Sequence, residues 1–151
     1  MYEIIKLTHL ASAIIWMGGM AFMVWALRPA AAQLAPAQRA PLLAAVLQRF
    51  FVAVIISIAV LLLSGLHMLG AAAKTVGMQQ VPMGWHIMLT IGLVMFLIFG
   101  HLYLSPFRRL KKAVAGADWP EAGRRLQQIA LMVNINFVLG WVAIAALRLV
   151  R

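Results

Sequence analysis

The chain has 151 residues, 65% of them hydrophobic and 11% charged, and its mean hydropathy is +0.97; a soluble domain is nearer half apolar and a quarter charged, so the composition excludes one. Thirteen basic residues face three acidic ones, a net charge of +10, but they flank apolar runs, so membrane orientation and lipid headgroups account for them and nucleic-acid binding is not expected. With no cysteine, the chain can form no disulfide, thiolate metal site, iron–sulfur cluster or covalent c-type haem attachment, which leaves His, Met, carboxylate and backbone as metal ligands.

Four apolar segments are long enough to cross about 30 Å of hydrocarbon. The first runs from about Ile4 to Leu27, and Pro29 is expected to stop it. The "RPAAAQ" that follows carries a cleavage-like A-x-A site, yet the run before it is of spanning length, so a retained first helix is expected. Next comes an alanine-rich connection with Pro36 and Pro41; from Pro41 onward it reads as a helical extension of the second span, about Phe50 to Ala73. After the short turn "KTVGMQQVPM" the third span covers about Gly84 to Leu104, with Pro106 just beyond it. A longer basic connection holds "DWPE", which has the features of a helix start. Asp118 is placed to cap, Pro120 lies in the first turn, and Glu121 sits near the positive end. Helix four is therefore expected to begin near Pro120, ahead of a span at about Ile129 to Val150. The predicted fold is an all-α integral membrane protein, a single four-helix transmembrane domain over residues 1–151.

Four spans place the connections on alternating sides. Arg28, Arg39, Arg49, Arg108, Arg109, Lys111, Lys112, Arg124 and Arg125 fall on one side, and Lys6, Lys74, Arg148 and Arg151 on the other, together the thirteen basic residues. Positive residues favour the cytoplasm. Both termini and the "KTVGMQQVPM" turn are thus expected outside, in a multi-pass protein of the cell membrane; in a Gram-negative cell this is the inner membrane and outside is periplasm.

Depth can now be assigned to the four histidines. His9 lies near the outer start of span one, His67 near the outer end of span two, and His86 near the outer start of span three. An ionisable ring in or near lipid is costly and marks a functional site by default, and three helices each pay that cost at one level. The bland alternative is three interfacial histidines, each bonded to a carbonyl or to water. His101 lies 15 residues beyond His86, roughly 22 Å deeper at 1.5 Å per residue, so it is excluded from the trio's site.

In an up-and-down bundle neighbouring helices are about 8–10 Å apart and helices one and three are diagonal. Two imidazoles approaching an iron from opposite faces of a flat macrocycle suit a diagonal pair. His9 and His86 are accordingly the expected axial ligands of a b-type haem. His67 comes from the helix between them and would orient a propionate, replace one ligand or serve a second site. His9, Ala13, Trp16, Met20 and Met23 recur at helical spacing on span one, and Ser57, Val60, Ser64 and His67 on span two. Such faces also describe ordinary helix packing. Lys6 and Lys74 lie at the outer edge, where propionates would be, and would equally serve as snorkelling anchors.

Ten methionines bring copper into consideration. Met68, Met78 and Met83 lie near the outer histidines and Met88 just below them, and thioether sulfur with imidazole selects copper. The alternative ligand set is His9, His67, His86, Met83 and Met88. Methionine is also a common apolar filler, and a structural subunit without cofactor stays open. In the inner half, Asn134 and Asn136 lie on opposite sides of helix four and are expected to bond between helices. The lipid bilayer is one expected partner and an unnamed redox protein another, with a homo-oligomer allowed.

Two motifs carry a family resemblance. "KLTHLASAIIWMGG", with Lys6, His9, Trp16 and Gly19, resembles the first helix of the CopD/HemJ superfamily, and "GWHIMLTIGL", with Trp85, His86 and Leu89, resembles the third helix of HemJ-type proteins. The basic "RRLKKAVAG" is also similar, so the resemblance extends over most of the chain. It implies a membrane protein of four or more helices that binds b-type haem or handles copper, an oxidoreductase if it follows the HemJ-type protoporphyrinogen oxidases. His9 and His86 are the matching histidines and Lys6 the matching lysine. Two positions depart from the HemJ pattern: Met88 stands where a lysine usually follows the third-helix histidine, and helix four reads "QQIALMVNIN" where an acidic residue is usual. These departures bear on porphyrinogen oxidation, not on haem binding, while His67 and the outer methionines lean toward the copper branch.

Overall fold

The computed structural model describes residues 1–150. Four helices are long and apolar enough to cross a membrane: α1 (Tyr2–Ala31), α2 (Pro36–Val76), α3 (Met83–Ala115) and α4 (Trp119–Leu149). No strand occurs among the described residues. The helices are apolar nearly all round, as lipid-embedded helices must be. Leu97 and Leu63 are 74% and 71% exposed, a cost in water and none in hydrocarbon.

Two helices run further than the prolines suggest. Pro29 does not stop α1, and Pro106 does not stop α3. Each is passed by a π turn, Met23–Leu27 in one helix and Tyr103–Phe107 in the other. In α1 the Arg28 N–H bonds back to the Met23 carbonyl, five residues away. The wider turn makes room for a proline ring and absorbs its missing donor. α2 starts at Pro36, earlier than Pro41, because Pro36 occupies the first helical turn, where an N–H would be unpaired anyway. α4 starts as its sequence indicates: the Glu121 N–H donates to Asp118 Oδ1 at 3.0 Å, and the Glu121 carboxylate accepts from Arg124 and Arg125, both at 2.6 Å.

α1 packs along α2 and α3 along α4, giving two antiparallel hairpins. Aromatic contacts then join them. Trp16 of α1 stacks on Phe96 of α3 at 5.8 Å, and Phe51 of α2 meets Phe99 edge-on at 5.3 Å. Lower down, Phe51 meets Phe107 at 4.9 Å and Trp25 meets Phe137 at 5.4 Å. Close approach within the hairpins depends on glycine. Gly19 faces the Phe50 ring, and Gly84 faces the backbone carbonyls of Ala146 and Val150. Among polar side chains, Asn136 (3% exposed) donates from Nδ2 to the Met95 carbonyl at 3.2 Å, the interhelical bond expected of it.

Candidate functional site at the N-terminal end of the bundle

The end of the bundle that carries the N-terminus and the α2–α3 turn also carries His9, His67 and His86. His9 is half-buried, and its Nδ1 lies 2.8 Å from Ser64 Oγ on α2. The same hydroxyl bonds to the Val60 carbonyl one turn back. A serine hydroxyl has one proton. Spent on the Val60 carbonyl, it leaves Oγ to accept from His9, which places the His9 proton on Nδ1. In the neutral ring this leaves the Nε2 lone pair free. This is the usual state of a ligating histidine, whose second nitrogen is held by a partner that fixes its tautomer and orientation.

The next residue of α2 completes the seat. A Cβ added at Gly65 would lie 3.3 Å from His9 Cε1, tighter than most side-chain contacts. The Ser64–Gly65 pair thus grips the imidazole on one side with a hydrogen bond and admits it on the other by having no side chain. The sequence marks Ser64 only as a small residue and does not single out Gly65. The available signal is depth, since His9 and Ser64 fall at one level in antiparallel helices.

The other expected residues are distributed unevenly. His86 is half-buried near the start of α3, whereas His67 is exposed. The buried stripe of α2 runs through Val54, Ser57, Ser64 and Met68, so Met68 and not His67 continues the face that holds His9. Among the described residues, no three His, Asp or Glu side chains form a group able to hold a metal ion. Met83 is exposed and Met88 half-buried.

Lys6 is exposed and engaged locally, 3.1 Å from Glu3 and 4.8 Å from the Tyr2 ring centroid. Trp16 is 4% exposed, packed in the aromatic core two turns below His9. His101 is exposed on the continuous part of α3, which keeps it at the separate depth that its spacing implies.

A family model described as Copper resistance protein D matches residues 44–150. The matched stretch includes Ser64, His67 and His86, while His9 precedes it. No curated protein and no solved structure matches the chain.

Proposed function

The chain belongs to the copper resistance protein D family, and from that premise we propose that this multi-pass membrane protein binds a b-type haem near the end of the bundle bearing its N-terminus. His9 on α1 and His86 on α3 would supply the axial nitrogens. The observation that carries the reading is the Val60–Ser64–His9 hydrogen-bond chain, which engages Nδ1 and leaves Nε2 as the nitrogen of His9 open to a ligand. Both His9 and His86 are half-buried at this end of the bundle, and the exposure of His67 favours two histidine ligands over a three-histidine metal site.

Haem, when bound, would supply one-electron chemistry. The protein's own part is to orient His9 through Ser64, to leave ring space at Gly65 and to exclude water with the Trp16–Phe96 layer beneath. The role proposed is electron transfer or haem-linked redox chemistry at the outer face of the cell membrane. The test is a visible absorption spectrum of the purified protein, oxidised and reduced. A Soret band with the sharp reduced bands of six-coordinate low-spin iron is expected; colourless protein from haem-replete cells overturns the reading.

The orientation proposed is termini outside, from the basic residues concentrated at the opposite end. A reporter active only in the cytoplasm, fused to the C-terminus, is expected to be silent. A strong signal would reverse the topology and put His9 on the inner side.

Copper is the second reading. It is favoured by the family match and by the buried Met68, whose thioether continues the His9-facing stripe. If copper is the ligand, Met68→Leu should weaken Cu(I) binding steeply, with smaller effects from His67→Ala, Met83→Leu and Met88→Leu. Under the haem reading all four variants keep the haem spectrum and no tight copper is found.

A further inference from the structure

At the opposite, basic end, α1, α2 and α4 enclose a cavity of about 440 Å³ that the proposed function does not use. Its floor is apolar, with Met23, Leu47 and Val133 all buried. Its rim carries Arg28 and Arg39 from the two sides of the α1–α2 turn, with Gln127 from α4. Along α4 the lining runs from Gly123 to Val133, about 15 Å at the helical rise. The cavity is thus a long apolar trough with two guanidinium groups at its mouth.

Among the described residues those guanidiniums meet no counter-charge. All three acidic residues of the sequence are committed elsewhere. Glu3 pairs with Lys6 at the far end, Glu121 holds Arg124 and Arg125, and Asp118 accepts the Glu121 N–H. Among the described residues neither Arg28 nor Arg39 enters an ion pair. A negative group must come from outside, and it must be attached to something apolar to use the trough.

We propose that this cavity binds an acidic phospholipid, its phosphate held by Arg28 and Arg39 and one acyl chain lying against Met23, Leu47 and Val133. Two arginines converge on a phosphate as charge-assisted donors, and basic pockets between helices are the usual form of headgroup recognition. A free phosphate would satisfy the arginines but leave the trough unfilled. The π turn at Met23–Leu27 widens α1 at this level and shapes the wall on which the chain would lie.

The test uses the full-length protein in nanodiscs of phosphatidylglycerol mixed with phosphatidylcholine, followed by release into detergent and native mass spectrometry. Wild type is expected to retain phosphatidylglycerol over phosphatidylcholine by on the order of tenfold. The Arg28→Gln/Arg39→Gln variant should lose that preference, while the charge-matched Arg108→Gln/Arg109→Gln variant should keep it. Added inorganic phosphate should not displace the lipid. Equal retention of the two lipids by wild type overturns the proposal without any variant having to fold. Retention that survives in the Arg28/Arg39 variant, or is lost equally in the Arg108/Arg109 variant, also overturns it, as does displacement by free phosphate.

Discussion

His9→Ala is expected to abolish the low-spin haem spectrum while leaving the bundle folded. His9 is half-buried and holds one hydrogen bond to Ser64. Losing such a bond costs about 1 kcal/mol, small against the helix packing of a four-helix bundle. The proposed ligation is different in kind, since a methyl group cannot replace a nitrogen that would bind iron. His86→Ala should give the same loss from the other face of the ligand. His101→Ala should change nothing, because about 22 Å of helix separates it from His86. Ser64→Ala tests the tautomer argument by itself. It keeps the ligand but removes the acceptor that holds the proton on Nδ1, so binding should weaken by about 10- to 100-fold and the reduction potential should shift. Absorption spectra and haem titrations of the four variants provide the check. A six-coordinate spectrum that persists in His9→Ala removes His9 from the iron, and a Ser64→Ala protein indistinguishable from wild type removes the reason given for its readiness.

The fold was legible in the sequence because bilayer physics leaves few options. Apolar runs of spanning length must be helices, and the "DWPE" start was readable from Asp118 and Pro120. Pro29 misled because a π turn precedes it and carries the helix on, and a local proline rule does not contain that. The site was legible in depth and not in direction. His9, His67 and His86 do fall near one end, but residues three and four apart on a helix lie on either side of one line. Ser64 can therefore be continued by His67 or by Met68, and only the position of α1 decides that Met68 turns inward and His67 outward. The role of Ser64 as a partner of His9, and any role of Gly65, are not readable for a related reason: both lie in what α1 puts against them. Trp16 has the spacing of both a cofactor wall and a core residue, and its stacking on Phe96 fills the core.

Gly84→Ala is expected to destabilise the protein more than any other single-methyl change on α3. A Cβ there would run into the carbonyl oxygens of Ala146 and Val150. Both obstacles are backbone, so no rotamer change relieves them, and α3 must move away from the end of α4. Without a hydrophobic drive between helices in lipid, close backbone approach is a main source of their association. Forcing in a methyl should cost about 1–3 kcal/mol. The contrast is with Gly92 and Gly18, where an added Cβ meets nothing within 4 Å. There, Ala should be neutral or stabilising by up to about 1 kcal/mol, because it is the better helix former. Thermal unfolding of the three variants in one detergent, followed by far-ultraviolet circular dichroism, separates the cases. His86 lies two residues beyond Gly84, so displacement of α3 should also loosen whatever His86 holds, and haem affinity should fall in parallel with stability. Gly84→Ala melting with wild type would mean that α3 and α4 do not meet at this point, and His86 would then lose the packing that sets its position relative to His9.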